Sequence, residues 1–281
     1  MPPVRWRRPR RSAIAPHPLE LPWFRVDGPR DRPDAPTFVL VHGVGLSHRS
    51  FSRLAGRLSG EGPVVSMDLP GHGRARRARH RATIEELADA VAAGTARRVA
   101  GSGPVVLLGH SLGAEVATET VRRHPALAGG LVLVGPVVDP AAPTALRQGL
   151  RLLRDMPAER PLTMAMVTRD YARSGPLTYG AGVRSMVRYA TADRVAGLEL
   201  PLLVVRGAQD PIATARWADQ LAAGVADGTV VHVPRAVHNL VHSHSAEVAR
   251  AVLAFTARIT QAAPGPVLQD GRPAQEVRRA R

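Results

Sequence analysis

The stretch GPVVLLGHSLGAEVA, residues 103–117, runs from an apolar segment through a serine between two glycines into a helical pattern, with no loop between them. Two readings compete for that corner. Serine is a common N-cap, so Ser111 can simply start a helix by accepting a backbone N–H. Alternatively, Gly109-His110-Ser111-Leu112-Gly113 is a G-x-S-x-G corner, with glycines where side chains would collide with strand or helix. The serine then stands in strained geometry and holds its hydroxyl out at a helix N-terminus, where developing negative charge is favoured.

Outward from the corner, runs rich in Val and Leu recur at 37–43, 63–68, 104–111, 131–135, 201–207 and 229–234, bounded by Gly and Pro. Continuous apolar runs of this length read as parallel strands covered on both faces. Segments of helical period separate them at 50–60, 83–100, 112–125 and 245–260, the second opening with Thr83 and Glu86 at capping-box spacing. Strand alternating with helix predicts an α/β fold: a mostly parallel central sheet with helices on both faces and right-handed crossovers. LELPWFRVD, residues 19–27, reads as an antiparallel edge strand.

Between about 140 and 195 the rhythm breaks into helical pieces, TALRQGLRLLRDM and LTMAMVTRDYARSG, without a strand. An insertion there, after the strand at 131–135, predicts a helical cap over the sheet's C-terminal edge, where open α/β sheets bind ligands. Its Leu146, Leu150, Leu153, Met164, Met166 and Val167 either line an apolar pocket or form the buried faces of the cap helices. The expected organisation is a disordered basic arm at 1–18, a core of 19–139 and 196–262, the cap at 140–195, and a disordered tail at 263–281.

Composition excludes much chemistry. The chain of 281 residues has no cysteine, which removes disulfides, thiolate nucleophiles and cysteine-ligated zinc. All 38 basic Lys+Arg positions are arginine, so a Walker lysine, Schiff-base chemistry and a Ser-Lys dyad are absent. The net charge of +15 is concentrated in VRWRRPRR, GRARRARHR and EVRRAR without a groove-reading motif, so no specific nucleic-acid partner is expected. Arg7-Arg8 lacks the apolar segment that a secretion signal needs, and no run reaches the ~18 residues of a membrane span. A cytoplasmic protein is expected.

A serine is a weak nucleophile at neutral pH and needs a base with something to orient it. Asp210, in LLVVRGAQDPI, directly follows an apolar run; His238, in VPRAVHNLVHSHS, follows the last one. In a parallel sheet both loops emerge at the same edge as the serine corner. The corner in its strand-to-helix setting, followed by acid and then histidine, resembles the α/β-hydrolase fold superfamily, its capped serine-hydrolase branch of esterases and lipases, over most of 19–262.

The resemblance implies Ser111 as nucleophile, His238 as base and Asp210 as the acid that holds the imidazole. His42-Gly43 in VLVHGVGLSH resembles the family's HG signature, which assigns an oxyanion hole to the backbone N–H groups of Val44 and Leu112 and a loop-ordering role to His42. MDLPGHGRA resembles the D-x-P-G-H-G loop, with Asp68 and His72 as braces; the RARRARHR that follows departs from the family and predicts a positively charged pocket rim. His110 joins the cap residues as a candidate substrate contact. His238, His242 and His244 form H-x3-H-x-H with no acidic cluster beside them, and no metal or other cofactor is expected.

The expected function is a carboxylesterase-like serine hydrolase of a small or medium ester-like substrate with an apolar acyl part. A carbon–carbon bond hydrolase or other acyl-transfer enzyme on the same residues is the alternative, and a non-catalytic small-molecule receptor is the alternative of another class. Oligomeric state is left open.

Overall fold

The computed structural model describes residues 4–8, 19, 21–78, 80–99, 103–140, 144, 150–151 and 158–262. Seven strands form one sheet: β1 (Trp23–Val26), β2 (Thr37–Val41), β3 (Val64–Met67), β4 (Val105–His110), β5 (Gly130–Val134), β6 (Leu202–Gly207) and β7 (Gly228–Val233). Their order is β1-β3-β2-β4-β5-β6-β7. All neighbours are parallel except β1, which pairs antiparallel with β3, Trp23 opposite Met67. This is the expected α/β architecture, with the edge strand where LELPWFRVD placed it.

The helices are α1 (Ser52–Leu58), α2 (Ile84–Ala96), α3 (Leu112–Arg123), α4 (Pro161–Val187), α5 (Thr191–Val195), α6 (Ala215–Ala223), α7 (Leu240–Ser243) and α8 (Ser245–Ala262). Side chains of a strand alternate between faces, so Phe38 and Leu40 on β2 join Val106 and Leu108 on β4 beneath Leu54 of α1 and Val252 of α8. Val39 and Val41 point the other way and join Leu107, Leu131 and Leu133 beneath Val116 of α3 and Trp217 of α6. Both faces are therefore core, which is why the strands read as unbroken apolar runs. Each fully buried Leu or Val in these layers contributes ~1.5–3 kcal/mol relative to exposure.

Local chemistry starts the helices. At α2 the Glu86 N–H donates to Thr83 Oγ1 at 3.2 Å, and the Thr83 N–H donates to Glu86 Oε2 at 2.9 Å, closing the capping box. The α6 helix was not singled out in the sequence; its signal is the Thr214 hydroxyl, which caps the Trp217 N–H, ahead of buried Trp217, Ala218, Leu221 and Ala222. The α4 helix runs through Gly175-Pro176, where Gly175 (φ 72°, ψ 163°) kinks it into two segments. Of the expected cap helix at 144–156, nearly all lies outside the described residues.

The arm expected to be disordered departs from that reading at Val4–Arg8. Arg7 exchanges two backbone hydrogen bonds with Arg25 on the outer edge of β1 (2.9 and 2.8 Å), and Trp6 Nε1 donates to Ser52 Oγ at 3.1 Å. An open strand edge is a template for pairing, and this short stretch of the arm covers it.

One core residue breaks the apolar pattern. Glu115 on α3 is fully buried and neither carboxyl oxygen has a hydrogen-bond partner among the described residues, so burial pushes its pKa well up. Glu119, one turn on, is instead held by Arg122 (2.6 Å) and Tyr189 (2.9 Å). Glu115→Leu is expected to stabilise the protein by about 1–3 kcal/mol at pH 7, because an unpaired polar group is replaced by an apolar one. A lower thermal midpoint in the variant would contradict this.

Candidate active site

The corner after β4 is built by close approach. A Cβ on Gly109 would run into the Gly113 carbonyl, and one on Gly113 into the Val41 carbonyl, so strand and helix can meet there only if both positions lack side chains. Between them Ser111 adopts φ 54° and ψ −124°, and its side chain makes no helix-capping hydrogen bond. The simple N-cap reading of the serine is therefore not what the corner does. A non-glycine residue in this region costs about 1–3 kcal/mol and persists because its surroundings over-determine it. The Ser111 N–H donates to the Val134 carbonyl at 3.0 Å, fixing the corner to the end of β5.

The next residue on that strand end, Gly135, faces the other two candidates. A Cβ there would lie 3.2 Å from His238 Cε1 and 3.6 Å from Asp210 Oδ2. His238 and Asp210 are 28 positions apart, and His238 Nδ1 donates to Asp210 Oδ2 at 2.9 Å. The other carboxylate oxygen accepts the Ile212 and Ala213 N–H groups at 2.8 and 3.0 Å. Burial alone would raise the Asp210 pKa; the neighbouring imidazole and the two N–H groups outweigh it and hold the carboxyl below its ordinary value. With Nδ1 donating to a carboxylate, the ring's basic lone pair sits on Nε2.

His110 ties this loop to the corner. Its Nε2 donates to the His238 carbonyl at 3.1 Å and the ring is fully enclosed, so it braces the two loops and is out of reach of a ligand, which corrects its expected role as a substrate contact. His42 orders its loop as expected: Nδ1 donates to the Gly43 carbonyl at 2.8 Å and Nε2 accepts the Leu69 N–H at 3.0 Å. Asp68 braces by accepting the His48 and Arg74 N–H groups, both at 2.8 Å, and His72 Nδ1 donates to the Pro70 carbonyl at 3.0 Å. The remaining histidines of H-x3-H-x-H turn to separate partners, His242 to Thr163 at 2.9 Å and His244 to Ser243 at 3.0 Å.

Burial lowers the pKa of His72 to about 4 and of His110 to about 3, so both rings are neutral in the folded protein near neutrality. In the unfolded chain they bind protons near 6.5, so the folded state holds fewer protons between about pH 6.5 and 4. Stability therefore falls as pH drops through that window. Urea unfolding at pH 5 is expected to give a free energy about 2–4 kcal/mol below that at pH 7; equal values would show the rings to be solvated.

The α4 helix covers the loop after β2. Ser47 Oγ donates to Asp170 Oδ2 at 2.5 Å and Ser174 Oγ to the Gly45 carbonyl at 3.2 Å. Gly43 lies against the corner, its Cβ position 3.0 Å from Ser111 Cβ, and a Cβ on Gly182 would lie 2.6 Å from Val44 Cγ2 and 3.7 Å from Leu112 Cδ2. Val44 and Leu112 thus meet beneath one glycine of α4, beside Ser111.

The groove that reaches Leu112 holds about 390 Å³ and is walled by Leu69, Leu87, Leu177, Ala181 and Gly182. The cap candidates named from sequence are not brought there. Met166 lines a separate hollow with Trp6 and Arg49, Val167 is buried, Met164 is half-buried and Leu150 is 58% exposed. Leu146 and Leu153 lie outside the described residues. The kink at Gly175 decides which face of α4 meets the groove, and the small residues of YGAG (179–182) were the available sign of close packing.

A family model described as the alpha/beta hydrolase family matches residues 38–251, about three quarters of the chain. The chain belongs to the alpha/beta hydrolase family. Among the relatives of this alpha/beta hydrolase is a pimeloyl-acyl-carrier-protein methyl ester esterase of Chromobacterium violaceum, 30% identical over 245 residues, 77% of this chain and 92% of that one. A 2-(acetamidomethylene)succinate hydrolase of Mesorhizobium japonicum is 27% identical over 74% of this chain and 84% of its own. A solved thermophilic esterase from Thermogutta terrifontis superposes with a TM-score of 0.72 at 20% identity, covering 91% and 99% of the two chains. The protein is an enzyme of the hydrolase class. No helix among the described residues is long and apolar enough to cross a membrane.

Proposed function

We propose that this hydrolase is a serine carboxylesterase in which Ser111, His238 and Asp210 act as a triad, with the N–H groups of Val44 and Leu112 as the oxyanion hole. The observation that carries the reading is the buried 2.9 Å bond from His238 Nδ1 to Asp210, set behind the same strand end that fixes the strained Ser111. His238 Nε2 takes the Ser111 proton as Oγ attacks the ester carbonyl. The tetrahedral oxyanion is stabilised by the Leu112 N–H, which at the first turn of α3 has no intrahelical partner, and by that of Val44. Each such donor contributes ~3–4 kcal/mol to the barrier reduction. The imidazolium then protonates the leaving alkoxide, and water repeats the sequence on the acyl-enzyme.

Apolar walls around Leu112 support an ester with a small or medium apolar acyl part, and the named esterase relatives support ester chemistry. Within the expected cap, α4 lies over this site. Labelling with a fluorophosphonate followed by peptide mass spectrometry tests the assignment: one adduct, on Ser111, is expected. A folded protein that takes up no label, or takes it elsewhere, would falsify the triad.

A further inference from the structure

The groove from Leu112 does not end in an apolar wall. It shares Arg81, Ala82, Ala181 and Ser185 with a second hollow of about 320 Å³ whose lining adds Arg184 and Arg188 of the α4 region and one acid, Glu85. Some arginines hold carboxylates, as Arg123 holds Asp89 at 2.8 Å, Arg258 holds Asp227 at 2.6 Å and Arg122 holds Glu119 at 2.6 Å. Among the described residues Arg81, Arg184 and Arg188 make no such pair. The neighbouring acid, Glu86, is turned onto His80 at 2.8 Å and onto the Thr83 N–H at 2.9 Å. Arg77, in the wall of the first groove, donates to the Ser174 carbonyl at 3.3 Å and so flanks the channel from a set position.

The spacing suits one elongated ligand. Gly182 lies over Val44 and Leu112, and Arg188 is six residues further, about 9 Å along the helix axis at 1.5 Å per residue. We propose that the substrate of this esterase carries an anionic group, carboxylate or phosphate, at the end remote from the scissile ester, read by Arg81, Arg184 and Arg188 while its apolar stem lies against Leu69, Leu87 and Leu112. The inference rests on the ester-hydrolase reading and adds the substrate class. A guanidinium fork matches either oxyanion, and water competes at this open mouth, so selectivity is modest and screened by salt.

The test uses two sets of esters of matched length followed by pH-stat: methyl esters whose acyl chain ends in carboxylate, phosphate or carboxamide, and acetate esters of alcohols ending in the same groups. At low ionic strength kcat/KM for an anionic end in one of the sets is expected to exceed that of the carboxamide by about tenfold, with the ratio falling toward unity in about 0.5 M salt. The double variant Arg81→Gln, Arg188→Gln is expected to collapse the ratio, and the carboxylate and phosphate arms tell which anion is read. Equal kcat/KM across ends in both sets, or a ratio that survives the double variant, overturns the proposal. In that event Ser111-dependent turnover of the carboxamide esters leaves the esterase reading standing; absence of turnover for every ester defeats both.

Discussion

Ser111→Ala is expected to lower kcat toward a short-chain p-nitrophenyl ester by about 10⁴–10⁶-fold, with an unchanged circular dichroism spectrum. The size follows from the site. The hydroxyl is not spent on capping α3, the corner is fixed by the Val134 carbonyl, and no cysteine or lysine exists to substitute as nucleophile. The folded state should survive because alanine fits the space of serine and the backbone strain at φ 54° is common to both. Residual turnover above background would come from the oxyanion donors and binding alone. A variant retaining a tenth of the parent rate would place the chemistry elsewhere.

Asp210→Asn is expected to cost about 10³–10⁴-fold in kcat. The oxygen that accepts from Ile212 and Ala213 can be kept by asparagine, which leaves its NH2 group facing His238 Nδ1. That nitrogen must then accept, the ring proton moves to Nε2, and the base needed by Ser111 is lost. The damage is to the tautomer, so the loss should appear mainly in kcat, with KM little changed. Comparable kcat in parent and variant would mean that the carboxylate serves only the loop.

Much of the fold was legible because its causes are local or periodic. Strands covered on both faces leave unbroken apolar runs, and Thr83 with Glu86 announces a helix start wherever it occurs. The corner and its partners were legible for another reason: parallel strands deliver their following loops to one edge, so order along the chain predicts meeting in space. Residues that depend on how one element seats on another were not legible. The choice among Met164, Met166, Val167 and the later Ala181 and Gly182 turns on the kink at Gly175, and His110 looked like a ligand contact because the corner alone does not show which neighbours face the core. Within the arm, the docking of residues 4–8 is not legible because arginine and proline content masks Val4 and Trp6, whose docking needs the open edge of β1.

The dihedral pair at Ser111 carries a cost in engineering. Glycine adopts a positive φ without penalty, so a Gly at position 111 would relax the turn and favour the native state. A library selected for heat tolerance alone would thus be drawn toward removing the proposed nucleophile, and any effort to toughen this enzyme must screen turnover in every round.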